Sequence, residues 1–219
     1  MSSWLVYYGN GYTAAGWDRT QKANNVDIIA AYFYSLGWTI NAIAGLLGNM
    51  EKESYINPGQ WQHGFPIENP NVSTGFGLVQ WTPWTKYTMW AGSDWKTNYN
   101  KQLYRITYEV AVDDATPNQG QWISKPSYPM SFTQFTQSTA SASYLAMAFF
   151  TDYERGVGGE TERQNNAEYW FSYLLQNPPG PWVPPGPGPE PPGPGPGPTP
   201  PSGKPFKIMF YLKPWWKRL

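Results

Sequence analysis

The sequence predicts a mainly α-helical domain with one irregular aromatic loop, followed by a Pro/Gly-rich tether and a short basic-aromatic tail. Helices are predicted because apolar residues recur at helical spacing in several segments and capping residues precede two of them. The abrupt change to proline and glycine after Gln176 marks the end of the folded domain. A chain of 219 residues can hold one domain of ordinary size with such extensions.

The first two helices are predicted between residues 25 and 57. Asn25 can cap a helix that runs through VDIIAAYFYS and stops at Gly37. Thr39 can cap the next helix, INAIAGLLGNMEKES, which ends near the Asn-Pro-Gly turn at 57–59. Because this second helix is apolar almost all round, we expect it to be central and buried. Residues 1–24 predict an irregular N-terminal arm.

The rest of the domain, which we delimit as residues 25–176, combines a loop with further helices. Residues 60–83 are rich in Gly, Pro, Asn and aromatic residues and predict a long loop with a small β-hairpin or extended turn. Further helices are predicted at 84–92, 99–112, 139–153 and 164–176. Residues 177–204 then form the tether, which favours polyproline II, and residues 205–219 form the tail.

The composition restricts any chemistry to carboxylates, amides and aromatic hydroxyls. The absence of cysteine excludes a disulfide framework, a thiolate nucleophile and a cysteine-rich zinc site. The single histidine, His63, follows an aromatic-amide run and precedes Gly-Phe-Pro, which is typical of a surface residue. With 15 basic and 15 acidic residues, the charge does not indicate a nucleic-acid partner. We therefore expect no metal, no cofactor and no nucleic acid.

The N-terminal sequence carries no recognisable export signal. It lacks the basic and continuous apolar regions of a signal peptide, and no stretch approaches the ~20 apolar residues of a membrane span. We expect a soluble product of the cytoplasm that another structure would have to carry outward. Its 13 Trp and 16 Tyr either build a core of large rings or line a groove that stacks against sugars.

Two glutamates, Glu51 and Glu53, end the second predicted helix. Carboxyl groups alone can cleave glycosidic bonds, provided that one carboxylic acid protonates the leaving oxygen. Partial desolvation at the end of a buried helix would raise the pKa of such an acid. Helical geometry does not choose between the two, because the helix is apolar on both sides. Either glutamate could act, or both could be solvated.

Four motifs resemble the phage tail lysozyme family, within the superfamily of goose-type lysozymes and lytic transglycosylases. The stretch ESYINP, residues 53–58, resembles the E-S-x-hydrophobic-N-P motif that ends the superfamily's central helix. GLVQWTP, residues 77–83, resembles its G-L-x-Q-x-x-P motif. The closer likeness to the phage family lies in four stretches in order: GLLGNM at 45–50, NPG at 57–59, GFGLVQWTP at 75–83 and YER at 153–155. The resemblance covers about residues 24–176 and implies a lysozyme-like fold that cleaves peptidoglycan strands.

The resemblance also implies roles for individual residues. The catalytic acid falls on Glu53, which leaves Glu51 as a helix-end surface carboxylate. The candidate substrate-binding residues are Ser54, Phe76, Gly77, Gln80, Trp81 and Tyr153. Two alternatives stay open: Ser54 either orients the acid or only closes the helix end, and Trp81 either lines the groove or packs in the core. Gly77 would let a sugar ring approach the backbone closely.

A second catalytic carboxylate does not stand out. An inverting hydrolase would need a base, for which Glu68, Asp152 and Glu154 are candidates. For Glu154 and Arg155, a structural ion pair is favoured over catalysis. A lytic transglycosylase would instead use one carboxyl group and the substrate's own hydroxyl, so hydrolysis and transglycosylation both remain open.

The family implies a virion protein of the phage tail that acts on the bacterial cell wall when infection begins. Two alternatives are a host-lysis endolysin with the same chemistry and a virion structural protein that binds wall glycans without cutting them. The basic-aromatic tail would dock onto another virion protein, contact an anionic membrane or wall, or have no role. Such a tail replaces the second cell-wall enzyme that follows the lysozyme domain in some family members.

Overall fold

The computed structural model describes residues 3–7, 16–63, 66, 68–69, 71–110 and 120–187, which form seven α-helices and one π-helical turn. The helices are α1 (Arg19–Ser35), α2 (Ile40–Ser54), α3 (Thr85–Ala91), α4 (Asn100–Glu109), α5 (Phe132–Gln137), α6 (Ala142–Phe149) and α7 (Glu160–Gln176), with the π-helical turn Phe150–Glu154 directly after α6. Extended residues in the described part form only isolated bridges, among them Trp61–Phe76 and Phe76–Trp81 in the long loop. The prediction of a mainly helical domain is confirmed.

Helix α2 is the buried centre of the fold, as predicted. Its N-cap Thr39 accepts a hydrogen bond from the Ala42 backbone N–H at 3.1 Å. It packs against α6 and α7 because two of its residues are glycines. A Cβ on Gly45 would lie 2.9 Å from backbone atoms of α6, and one on Gly48 would lie 2.5 Å from the Arg163 carbonyl of α7. Close helix approach therefore depends on these two glycines.

Helix α1 begins seven residues before the predicted start. Asp18 is its N-cap, in a capping box with Gln21, and Asn25 lies inside the helix. The Asn25 amide donates to the carbonyls of Leu5 and Ile56, both at 2.8 Å, so it ties an N-terminal segment to the end of α2. Part of the predicted irregular arm is thus helical. The sequence suggested otherwise because the first turns of α1 are polar.

The remaining boundaries differ more modestly. Helix α5 was not predicted, although Ser131 and Gln134 form a capping box at its start. Helix α7 begins at Glu160 rather than 164, and α4 ends at Glu109, so the predicted continuation to 112 enters residues outside the described part.

The first residues after α7 pack on the helical body. Trp182 lies with its ring centroid 5.1 Å from that of Tyr32 on α1, and the Pro185 carbonyl accepts a hydrogen bond from Asn100 at 2.9 Å. The rest of the predicted tether and the whole tail, residues 188–219, lie outside the described residues. Within the described residues, no helix combines the length and apolar character that crossing a membrane requires.

Candidate active site

A polar cleft of about 500 Å³ lies between the end of α2, the long loop and the π-helical turn. Four of the predicted site residues line it, namely Glu53, Gln80, Trp81 and Tyr153. Tyr55 and Trp61 add aromatic surface, and Lys52, Lys86 and Arg155 add positive charge. The structure therefore brings residues from distant parts of the chain together around Glu53.

Glu53 stands on the last turn of α2 at the wall of this cleft. Its side chain is 22% exposed, and its Oε1 accepts a hydrogen bond from Arg163 Nη2 of α7. Arg163 is itself buried, donates from Nη1 to Asn49 Oδ1 at 3.1 Å and lies over the Phe150 ring. A guanidinium held in this way stabilises a negatively charged partner. Glu53 is thus held by Arg163 at the wall of the cleft, with its side chain still partly exposed.

Glu51 is a buried structural residue, so the prediction of a surface carboxylate is wrong. Its Oε1 accepts from Lys22 Nζ of α1 at 2.9 Å, and its Oε2 accepts from the Trp170 indole of α7 at 2.6 Å. All three side chains are buried. The sequence missed this arrangement because Lys22 fell in the segment predicted as an irregular arm, so the glutamate had no visible partner.

Glu154 projects into the same cleft from the π-helical turn. Its Oε1 is buried and has no hydrogen-bond partner. The predicted ion pair with Arg155 is wrong, because Arg155 Nη1 donates to the Gln121 carbonyl and no Glu154–Arg155 bridge occurs among the described residues. Burial raises the pKa of the Glu154 carboxyl well above its ordinary value, the negative charge of Glu53 raises it further, and Arg163 opposes both effects.

A third carboxylate, Glu109 at the end of α4, forms the floor of the cleft. Its Oε1 accepts hydrogen bonds from the Trp81 indole at 2.8 Å and from the Tyr153 hydroxyl. Its Oε2 accepts from Arg105 Nε at 2.9 Å. Sequence reasoning missed Glu109, although Arg105 and Glu109 stand at the i, i+4 spacing of a helical ion pair. The predicted tyrosine near the catalytic carboxylate thus binds this floor residue.

The other two candidates for a second carboxylate do not line the cleft. Glu68 is exposed and forms an ion pair with Lys96, with nitrogen–oxygen distances of 2.7 and 2.8 Å. Asp152 is buried, and its Oδ1 accepts from the Lys125 backbone N–H at 3.0 Å. Burial raises the pKa of Asp152 to about 6. Among these candidates, only Glu154 shares the cleft with Glu53.

Ser54, Phe76 and Gly77 lie behind the cleft wall. The Ser54 hydroxyl lies 2.9 Å from the Met50 carbonyl oxygen and 3.0 Å from the Leu78 carbonyl oxygen, and its single proton is shared between them, so it joins the helix end to the loop. Phe76 is buried against Trp61 in the aromatic core. A Cβ on Gly77, whose φ is +84°, would lie 2.7 Å from Gln102 Oε1. The protein itself therefore fills the space beside this glycine.

Gln80 and Trp81 combine structural contacts with exposure to the cleft. The Gln80 amide donates to the Gly77 carbonyl at 2.8 Å and the Gln60 carbonyl at 3.2 Å. The Trp81 ring stacks on Tyr87 with a centroid separation of 4.9 Å, while the indole also binds Glu109. Both alternatives for Trp81 thus hold at once, since it packs in the core and lines the cleft.

Strained backbone is concentrated at the cleft. The non-glycine residues with positive φ in the described part are Tyr55, Ile56, Gln80 and Arg155. Three of these four line the cleft, and Ile56 follows one of them. Such conformations cost about 1–3 kcal/mol each and cluster at functional sites, because the surrounding structure must impose them. In the described ranges, no group of three or more His, Cys, Asp or Glu residues could hold a metal ion.

A helical domain whose buried central helix ends in a glutamate at a polar cleft has the organisation of a lysozyme-like protein. The family model for the phage tail lysozyme matches residues 24–174, so the chain belongs to this family. It is also similar to Morphogenesis protein 1 of Bacillus phage B103, with 46% identity over 173 residues. That match covers 78% of this chain and 43% of the relative, so the chain spans less than half the relative's length. The chain is a phage lysozyme-like protein.

Proposed function

We propose that this protein cleaves the glycan strands of bacterial peptidoglycan, with Glu53 as a catalytic residue. The observation that carries the proposal is the position of Glu53 at the end of the buried helix α2, where it faces a polar cleft that also holds Glu154. Two carboxyl groups on one cleft are the set that most glycosidases use to hydrolyse a glycosidic bond.

The lining of the cleft suits a sugar polymer. The Gln62 amide nitrogen and the Gln80 amide oxygen, on two cleft-lining side chains, suit hydrogen bonds with sugar hydroxyl and N-acetyl groups. Tyr55 and Trp61 offer aromatic surface of the kind that stacks on sugar rings. A cleft that is open to solvent, rather than a closed cavity, suits a sugar strand.

We further propose that the protein is carried by the virion and opens the wall locally when infection begins. Its family membership supports this role, and the relative from Bacillus phage B103 is named for morphogenesis. We also propose that residues 205–219, which lie outside the described part, contact another virion protein, a membrane or the wall.

The chemistry is tested by incubating the purified chain with peptidoglycan and identifying the released fragments by mass spectrometry. We expect fragments from the native chain and a loss of roughly 10²–10⁴-fold in Glu53→Gln, the size typical of a removed acid or base. Glu68→Gln is the matched control, because the same change falls on an exposed ion pair away from the cleft. Equal release by the Glu53 variant would exclude Glu53 as the catalytic residue.

The same assay separates cutting from binding. Glycan that is retained on the protein but never cut would indicate a wall-binding structural protein. The place of action is tested in purified phage particles, where quantitative mass spectrometry is expected to find the protein. Its absence from particles, together with accumulation late in infection, would favour a host-lysis enzyme.

A further inference from the structure

The N-terminal segment, residues 3–7, lies on the helical body in the manner of an extended peptide. Trp4 is only 2% exposed, and its indole donates a hydrogen bond to Asn100 Oδ1 at 2.9 Å. Val6 also packs against the core, whereas Leu5 between them is 38% exposed. Alternate side chains that face inward and outward are the pattern of an extended strand. The segment therefore fills a groove on the body with every second side chain.

Two asparagine side chains bind the backbone of this segment. Asn25 Oδ1 accepts from the Leu5 N–H at 2.9 Å, and Asn25 Nδ2 donates to the Leu5 carbonyl at 2.8 Å. Asn57 repeats the arrangement two residues further on, with the Tyr7 N–H at 3.2 Å and the Tyr7 carbonyl at 3.1 Å. A carboxamide both accepts and donates, so each asparagine pairs with one residue as a neighbouring β-strand does.

The same two asparagines also hold the turn that follows α2. Asn25 Nδ2 donates to the Ile56 carbonyl at 2.8 Å, and Asn57 Oδ1 accepts from the Gly59 N–H at 3.1 Å. Ile56 has φ +60°, which a β-branched residue adopts only when its surroundings impose it. Ile56 follows Glu53 by three residues. The contacts of the N-terminal segment are thus linked to the backbone beside the candidate catalytic residue.

We propose that Asn25, Asn57 and the pocket around Trp4 form a peptide-binding site whose ligand is the chain's own residues 3–7. Filling this site holds the turn after α2 in the form that places Glu53 at the cleft. The binding site stands on its own contacts, whereas its effect on cleavage rests on the proposed function.

The contacts divide into those that any peptide could make and those that select this one. The asparagines bind only backbone atoms, so they accept an extended peptide of any sequence. The buried pocket of Trp4 supplies the selectivity, as side-chain pockets do where proteins bind extended peptides. Residues 8–15, which lie outside the described part, connect the segment to the helical body. A short covalent link raises the effective concentration to the order of millimolar, which favours the chain's own segment over a free peptide.

The test separates the segment from the body in the full chain. A cleavage site for a sequence-specific protease is placed within residues 8–15, and the folded protein is cut. We expect an excess of a labelled synthetic peptide of residues 1–8 to replace the cut segment. A peptide with Trp4→Ala is expected to bind roughly 10²–10³-fold more weakly, because it leaves the buried pocket empty. The Leu5→Ala peptide is the matched control, since its exposed side chain should change the affinity by less than about threefold.

Two results would overturn the binding site: equal affinities of the native and Trp4→Ala peptides, or no exchange in the folded protein. If the cut protein unfolds once the segment leaves, its melting temperature is measured at rising peptide concentration instead. The melting temperature should rise with the native and Leu5→Ala peptides and stay unchanged with the Trp4→Ala peptide. A melting temperature that responds equally to all three peptides, or to none, contradicts the site.

Digestion of peptidoglycan tests the effect on Glu53. The cut protein freed of its segment is expected to cleave about 10–10²-fold more slowly, because its reacting group is misplaced, and the added native peptide should restore the rate. In the uncut chain, Leu5→Pro removes the N–H that binds Asn25, so its loss per folded molecule should exceed that of Leu5→Ala.

Equal cleavage with the site empty and filled, or by Leu5→Pro and Leu5→Ala, would overturn the effect on Glu53. If the native chain does not cut peptidoglycan at all, the proposed function fails and this effect fails with it. The exchange of peptides still decides the binding site in that case, so the two failures are distinguishable.

Discussion

The two glutamates at the end of α2, only two residues apart, face opposite kinds of surroundings. Glu51 points to a buried junction of three helices, where Lys22 and Trp170 bind its two oxygens. Glu53 points to an open cleft, where Arg163 binds one oxygen and the side chain stays partly exposed. Helix α7 supplies a partner to each, so it fixes both surroundings at once. A carboxylate whose two oxygens are both bound stabilises the fold. A carboxylate whose side chain is partly exposed is available to react.

Other features follow the same division. The cleft side has the buried Glu154 oxygen without a partner and three of the strained backbone residues. The junction side has an ion pair whose two side chains are each less than one-tenth exposed. Backbone strain costs stability, so its concentration at the cleft is typical of a site kept for function.

Removing the charge of Glu51 should show most strongly that its role is structural. In Glu51→Gln, the buried Lys22 loses its counter-charge, and we expect the free energy of unfolding to fall by about 3–5 kcal/mol. Cleavage per folded molecule should stay close to native. Denaturant titration measures the first effect, with Glu68→Gln as a control expected to change by ~1 kcal/mol or less. A Glu51→Gln variant that is stable but inactive would contradict the structural role of Glu51.

Asp152 gives the pH dependence of stability a defined sign. Its pKa is raised from 3.8 to about 6, so the folded state holds a proton that the unfolded state has released between these values. Its contribution to stability is therefore lost as pH rises through that window. We expect Asp152→Asn to gain ~3 kcal/mol relative to the native chain between pH 3.8 and about 6.

Asp94→Asn is the control of opposite sign for this measurement. The hydrogen bond from Lys101 lowers the pKa of Asp94, so its contribution is present at neutral pH and lost as pH falls. Thermal unfolding across the pH range would measure both variants. A constant difference between Asp152→Asn and the native chain would contradict the assignment.

Helices α2 and α7 both contribute to the junction around Glu51 and to the cleft around Glu53. Gly48 sets the distance between these two helices. Gly48→Ala would place a methyl group 2.5 Å from the Arg163 carbonyl, so the helices must separate. We expect a loss of about 1–3 kcal/mol in stability, accompanied by reduced cleavage because Arg163 moves with α7.

An alanine at the exposed Gly92 is not a clean control for this variant, since Gly92 has φ +79°. Gly180, where an added Cβ meets nothing, is better. Unchanged stability in Gly48→Ala would indicate a looser contact.

Arg163 should matter for activity with a smaller effect. Arg163→Lys keeps the charge, but one ammonium cannot bind Glu53 and Asn49 with the geometry of the guanidinium fork. We expect cleavage to fall about tenfold, equivalent to ~1.4 kcal/mol, with the melting temperature little changed. Arg155→Lys is the matched control on the cleft rim, because Arg155 contacts a backbone carbonyl instead of a carboxylate. Native activity in Arg163→Lys would remove Arg163 from the site.

The central helix and the location of the cleft could be predicted from the sequence, because each depends on local pattern. The apolar run of α2, its Thr39 cap and the Asn-Pro-Gly turn after it all appear in the chain as consecutive signals. The motifs around Glu53 and Gln80 likewise identified residues that the structure brings to one cleft.

What could not be predicted are partners from remote segments. Nothing near Glu51 in sequence indicates Lys22 or Trp170, and nothing near Glu53 indicates Arg163, 110 residues away. Phe76 and Gly77 sit within a functional motif, yet their side-chain space is filled by the core and by Gln102. A motif therefore selects a segment, whereas the packing of the whole domain decides which of its residues reach the cleft.

The most direct test of the central claim is digestion of peptidoglycan in water enriched with heavy oxygen, followed by mass spectrometry of the fragments. We expect the native chain and Glu68→Gln to release fragments with heavy oxygen at each new reducing end, while Glu53→Gln stays folded and releases almost none. Anhydro ends without heavy oxygen would contradict hydrolysis by two carboxyl groups. Normal fragment release by Glu53→Gln would contradict the assignment of the catalytic site itself.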